Sequence, residues 1–402
     1  MEVDGRPDLG GMEKAFSINV MILLVEYFAG CLTVDHFRGA APTIKQRKRK
    51  KTCRRLDNRF CGARDILPKD LLGLVLMKLS LIDYLAFSGV CRFWRFVSMD
   101  IRKKFMERQK PLVFARSKYS KKARLLYNMF DGKTCKTMLK NLVGDLVGLS
   151  CGYLILNNRN RGFWLINLMT RHELHFPVLP EKAWGIFENH IRAVLFASTQ
   201  PSRVFLVLFS RNHNCLLLSE SSASSWQEYL LPNINAGISD VKILDGKIFV
   251  LTCDGHFGEF NPKADPVLKL YNMPIQRLSQ SSAQLVTSDN KLYMIIYEFN
   301  RYLSFFELDH KMESVTQIYD LGSKSLFLSQ YNSSVVDTTD WGAGNVVCVL
   351  HKHMCNRCSF FHLIGNKLAT TPVYWNGCLE PYLWYFPGES CDISGVSDEF
   401  GT

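Results

Sequence analysis

The residues best suited to chemistry cluster in HKHMCNRCSFFH, which holds His351, His353, Cys355, Cys358 and His362. Imidazole and thiolate are the usual ligands of tetrahedral zinc, and four of these five would complete a site. All five, however, fall in one short stretch whose pattern suits a strand, a turn at Asn356-Arg357 and a second strand. Cysteines in such strands act as small apolar side chains, so no metal or cofactor is expected. Cys91 stands beside Arg92 and Arg95, and neighbouring cations can lower a thiol pKa. Its place among apolar residues predicts packing instead. Glu307 and Asp309 fall at a strand end and read as solvated turn residues. There is no G-x-x-x-x-G-K-S/T loop, no G-x-S-x-G elbow and no H-E-x-x-H helix. No catalytic constellation emerges, and the chain reads as non-enzymatic.

The elements that would position any site come from composition and pattern. The 402 residues are 47% apolar, enough for a large core and one to three domains. Charge is placed unevenly: residues 1–125 hold 27 Lys/Arg against 12 Asp/Glu, and residues 126–402 hold 22 against 25. The basic pI therefore belongs to the N-terminal third and does not make the whole chain a nucleic-acid binder. Thirteen scattered cysteines do not form a small secreted disulfide framework. Reduced thiols in the nucleus or cytoplasm are the expectation.

Residues 1–44 read as an N-terminal extension. Its segment AFSINVMILLVEYFAGCLTV, Ala15 to Val34, approaches the length of a membrane span. Asn19 and Glu26 interrupt it, and a carboxylate at membrane depth is costly. An apolar helix docked on the fold, or an unstructured extension, fits better, and a membrane is not the expected partner. Residues 45–64 read as a basic linker. Lys45, Arg47, Lys48, Arg49, Lys50, Lys51, Arg54 and Arg55 place eight cations in eleven residues. Such a run suits an import-receptor groove, and a nuclear localisation signal is the first reading. A solvated linker is the second. A nucleic-acid arm is less apt, because no aromatics interleave for base stacking.

Three short helices are predicted over 65–105. Pro68 suits a first helical turn, and Leu71, Leu72, Val75, Leu76 and Leu79 form an apolar face. Ser80 with Asp83 resembles a capping box for a second helix, which Ser88-Gly89 should break. A third helix would carry Val90, Cys91, Trp94, Val97, Ile101 and Phe105 on one side. So small a unit needs a partner to bury its apolar faces.

The order Leu67-Pro68, Leu71, Val75, Leu79, Asp83, Leu85, Val90-Cys91-Arg92 and Trp94 resembles the F-box motif. Ser80 stands where proline is common, and Gly73 weakens the first helix. The resemblance implies docking on the small Skp-type adaptor that links F-box proteins to a cullin. It assigns Leu67, Pro68, Leu71, Val75, Leu79, Leu85, Val90, Cys91 and Trp94 either to that contact or to the internal packing that supports it.

From about residue 110 the pattern turns to period two. Similar units begin at Gly152, Ser202, Gly246, Asn290 and Gly344, about 44 to 54 residues apart. Asp245-Gly246 and Asp254-Gly255 are hairpin signals. A three- or four-stranded unit at this spacing predicts a β-propeller, with partial units from Pro111 and Thr371; a sandwich of unrelated hairpins is the alternative. Gly148-Leu149-Ser150-Cys151-Gly152-Tyr153-Leu154, Leu165 to Thr170, and Leu321-Gly322 with Leu326-Phe327-Leu328 resemble the C-terminal kelch-like domain of a large group of plant F-box proteins. The expected fold class is thus α+β multidomain, with a small three-helix F-box at 65–105 and an all-β propeller at 110–402. The resemblance implies a substrate-recognition subunit of a Skp–cullin–F-box ubiquitin ligase, its propeller holding an unknown protein target. The rival is a basic nucleic-acid or chromatin binder using residues 45–55 and 102–125.

Overall fold

The computed structural model describes residues 68–117, 123–130, 134–138, 144–158, 162–170, 172–183, 191–199, 202–221, 223–231, 234–271, 282–298, 302–309, 314–341, 344–350, 358–362, 367–369 and 378–389. The chain divides into two compact units, 1–109 and 110–402.

Among the described residues the first unit contains three helices: α1 (Lys69–Leu76), α2 (Leu81–Val90) and α3 (Arg92–Glu107). Ser80 caps α2. Its Oγ accepts from the Asp83 amide at 3.3 Å and donates to the Asp83 carboxylate at 2.6 Å. Such a cap contributes about 1 kcal/mol by satisfying an amide that has no helical partner. Ser88-Gly89 does not break α2, which runs on to Val90. The break falls at Cys91, whose extended backbone ends one helix and starts the next. The Cys91 Sγ accepts from the Trp94 amide at 3.5 Å, so Val90 and Cys91 precede the third helix and are not on its face. The core is formed by Leu72 and Leu76 of α1, Tyr84 and Phe87 of α2, and Val97 and Phe105 of α3. The Tyr84 ring stacks on Phe105 at 4.0 Å, and its hydroxyl donates to the Ser98 carbonyl.

The second unit is an all-β propeller of six sheets. The first pairs β1 (Leu112–Ser117), β2 (Ala123–Tyr127) and β3 (Thr134–Met138) with the last strand, β25 (Cys378–Tyr385). The second runs β4 (Asp145–Ser150), β5 (Tyr153–Asn158), β6 (Gly162–Asn167), β7 (Glu173–Phe176). The third is β8 (Ile191–Thr199), β9 (Ser202–Ser210), β10 (His213–Glu220), β11 (Gln227–Leu230). The fourth is β12 (Ile238–Leu244), β13 (Lys247–Thr252), β14 (Phe257–Phe260), β15 (Leu268–Tyr271). The fifth is β16 (Ser282–Ser288), β17 (Lys291–Glu298), β18 (Tyr302–Leu308), β19 (Val315–Ile318). The sixth has five strands in the order β21 (Ser333–Asp337), β20 (Lys324–Leu328), β22 (Val346–Leu350), β23 (Cys358–His362), β24 (Lys367–Ala369).

Turn chemistry makes the hairpins. Cys151-Gly152, Asp245-Gly246 and Asp289-Asn290 are two-residue turns with positive φ at both positions. That twist matches the twist of paired strands. Apolar layers then fill the space between successive sheets. One layer joins Ile155 and Phe163 to Leu206 and Leu217; another joins Phe249 and Phe257 to Leu285 and Met294. The ring is closed by β1 pairing with β25, from Leu112 opposite Tyr385 to Ser117 opposite Cys378.

The blades begin one strand earlier than the sequence units did. Gly152, Ser202, Gly246 and Asn290 open or precede the second strand of a sheet, while β4, β8, β12 and β16 come first. These first strands meet across blade boundaries, β4 against β8 and β12 against β16, while in the sixth sheet it is β21, the strand after β20, that lies against β16. In the sixth sheet β20 is inserted between β21 and β22, antiparallel to one and parallel to the other.

Candidate functional site

The helical unit presents more apolar surface than its core requires. Leu71 is 47% exposed, Leu74 66% and Leu85 36%, while Leu72, Leu76 and Phe87 are fully buried. On α1, Leu71 and Leu74 lie on the side away from Leu72 and Leu76, as the 3.6-residue period requires. Among the sequence-assigned residues, Pro68, Leu71 and Leu85 are exposed, and Val75, Leu79, Val90, Cys91 and Trp94 are half-buried. The Trp94 ring stacks on Phe87 at 4.1 Å, so Trp94 braces α3 on α2. Leu79 follows the end of α1 at Leu76 and is not part of the helical face. Leu74 was missed because an all-apolar helix does not say which side faces out. Leu67 and the cations from Lys45 to Arg55 lie outside the described residues, as does the segment Ala15–Val34. Among the described residues no helix is long and apolar enough to cross a membrane.

The residues flagged for chemistry do not converge where the structure describes them. Cys358 is buried on β23, and burial pushes its thiol well above the ordinary range. His362, at the other end of β23, is exposed, and His351, His353 and Cys355 lie outside the described residues. Among the described residues no three His, Cys, Asp or Glu side chains group as a metal site. Thr252, Asp254 and His256 do gather on one hairpin. The Thr252 hydroxyl points to the Asp254 carboxylate at 2.5 Å, which His256 Nδ1 also contacts at 3.0 Å. The hydroxyl also donates to the His256 carbonyl at 3.0 Å, so its contacts are with the carboxylate and a backbone oxygen and not with the imidazole that a general base would supply.

A polar belt instead links the inner strands of the propeller. The Ser150 hydroxyl of β4 donates to the Leu195 carbonyl of β8 at 3.3 Å. Arg192 of β8 donates to the Ser239 carbonyl of β12 at 2.7 Å, and its guanidinium lies 3.4 Å from Asp240. Asp240 accepts the Leu285 amide of β16 at 2.9 Å, and the Ser239 hydroxyl reaches the Ala283 carbonyl at 2.8 Å. Gln284 donates to Ser329, and Ser333 donates back to Gln284. Asn332 donates to the Trp384 carbonyl at 2.7 Å, and the Trp384 indole to the Leu328 carbonyl at 3.0 Å. Satisfied groups of this kind hold blades in register where an orphan would cost about 1–3 kcal/mol.

The helical unit and the six-bladed domain together define an F-box protein with a β-propeller. An F-box domain profile matches residues 65–106. The profile of the KIB1-4 beta-propeller matches residues 126–366, and the chain belongs to that family. F-box plus β-propeller is an architecture typical of non-catalytic adaptors, and F-box domains in general bind Skp1-type adaptors. No curated protein matches the chain. Among solved structures, YCF48 from Cyanidioschyzon merolae is similar at 10% identity and a TM-score of 0.32. The match covers 49% of this chain and 63% of that one, under two thirds of its length.

Proposed function

We propose that the chain is the target-recruiting subunit of a Skp–cullin–F-box ubiquitin ligase. The observation that carries this reading is the exposure of Leu71, Leu74 and Leu85 on helices that bury Leu72, Leu76 and Phe87 on their other side. Exposed apolar groups on so small a unit mark a protein interface. Leu71, Leu74, Leu85 and Pro68 make the adaptor contact. Val75, Leu79, Val90, Cys91 and Trp94 support it from within, and Leu67 extends it at the start of the motif. The propeller holds the protein target, and the ligase acts by raising the local concentration of target beside the transferring module. Lys45 to Arg55 directs the chain to the nucleus. Co-purification of the full chain with a Skp-type adaptor tests the proposal. Leu71→Glu/Leu74→Glu should abolish the complex while circular dichroism stays unchanged. The rival nucleic-acid binder predicts steeply salt-dependent DNA or RNA binding instead.

A further inference from the structure

Among its described residues the propeller exposes large apolar side chains at one end of its blades only. These are Val178 (43% exposed), Leu230 (65%), Leu270 (41%) and Tyr319 (69%). They belong to four successive blades, the second to the fifth, and each lies within two residues of the end of that blade's fourth strand. Every fourth strand ends opposite the beginning of the third: Phe176 pairs with Phe163, Leu230 with Cys215, Leu270 with Gly258 and Ile318 with Phe305. The blades also stand the same way up, because their first strands meet through equivalent residues. Gly148 of β4 approaches Ala193 of β8. Arg192 donates to the Ser239 carbonyl, and the Ser239 hydroxyl reaches the Ala283 carbonyl, each of the three being the second residue of its strand. The four apolar side chains therefore share one rim. At the opposite end, the turns after β12 and β16 present Asp245 and Asp289 with Lys247 and Lys291 beside them, all exposed.

We propose that this rim seats a folded protein domain, and that the propeller's target is not a short linear segment. The inference rests on the reading of the propeller as the target holder and names the class of target. Single exposed apolar side chains are ordinary on a protein surface. Their recurrence at one position of four successive blades, with none at the opposite end, is not. Six blades closing one ring turn through about 60° each, so blades two to five follow about half a circle. A helix or strand is straight on this scale, and it would touch neighbouring blades while leaving the others in water. The broad face of a folded domain covers all four, and an interface of standard size, about 800 Å² on each side, has that breadth. Charge narrows the occupant further. Lys269 stands beside Leu270, Asp320 beside Tyr319, and Glu181 and Lys182 near Val178, all exposed. Such mixed signs favour an apolar, weakly charged surface over a polyanion. The inner strands do not compete for this role, since their polar side chains bond one another through the belt.

The test uses the full chain in its native cells, with a photoreactive benzophenone side chain placed in turn at Leu230, Leu270 and Tyr319 and, as controls, at Lys247 and Lys291. Irradiation should link one and the same partner protein from at least two of the rim positions and not from the controls. The linked sites should lie far apart in the partner's sequence, as they do on the surface of a folded domain. Leu230→Glu/Leu270→Glu should cut crosslinking from Tyr319 about tenfold or more, while circular dichroism and co-elution with a Skp-type adaptor stay unchanged. The proposal is overturned by any of four results: no rim crosslink in adaptor-bound chain, equal crosslinking from the controls, links confined to one contiguous stretch of the partner, or links to a second copy of this chain. Rim crosslinks of the expected pattern in a wild type that does not bind the adaptor would uphold the rim and contradict the ligase reading instead.

Discussion

At the scale of single residues, several reactive groups among the described residues are committed to structure. Burial pushes the Cys348 and Cys358 thiols up and Cys215 to about 11. Native-state alkylation at pH 8 should therefore spare all three, and unfolding should release them. Tyr271 is half-buried, and its hydroxyl donates to Glu259 at 2.9 Å. Burial first, then the carboxylate, pushes its pKa up to about 12. The folded state thus favours the neutral phenol. Its contribution to stability is complete below the ordinary tyrosine pKa of about 10 and is lost as pH rises through about 12. Absorbance titration at 295 nm should show this late tyrosine, and Glu259→Gln should move it back down. The Arg192–Asp240 pair is a third case, with side chains 11% and 4% exposed. Arg192→Ala strands a buried carboxylate and should cost about 3–5 kcal/mol in urea unfolding. None of the pair's cross-blade bonds was legible in the sequence, because their partners lie about 45 residues apart and belong to no local pattern.

At the scale of elements, two glycines that look alike in sequence have opposite roles. Gly73 sits in α1 with open space where a Cβ would go. Gly73→Ala should stabilise the helix by about 0.5–1 kcal/mol. Gly148 lies on β4, where a Cβ would stand 2.2 Å from the Ala193 carbonyl of the next blade. Gly148→Ala should destabilise by about 1–3 kcal/mol, since neither strand can retreat from a packed sheet. Thermal melts of the two variants should shift in opposite directions. The F-box helices were legible because leucine spacing, the Ser80 cap and the Trp94 anchor are all local. The second, third and fourth strands of most blades were legible from alternation and two-residue turns. The first strands were less so, since β4 and β12 mix glycine, serine and aspartate among their apolar residues. Those polar residues serve the belt. The parallel pairing of β20 with β22 was illegible for another reason: two strands joined by a hairpin look the same whether or not a third slips between their neighbours.

At the scale of the molecule, the division of labour follows from how each unit satisfies its own surface. The propeller closes its ring through β25 and Trp384, a fully buried indole packed on Phe327. Trp384→Ala should cost about 3–5 kcal/mol and unfold the ring before the helical unit. The described helices leave Leu71 and Leu74 of α1 and Leu85 of α2 exposed. That contrast, a closed ring and helices with exposed leucines, supports the proposed adaptor-bound F-box and target-holding propeller. The most direct test is size-exclusion chromatography of the full chain mixed with a Skp-type adaptor. Wild type should co-elute with the adaptor as one complex, and Leu71→Glu/Leu74→Glu should elute apart from it. Separate elution of well-folded wild type would contradict the proposed function.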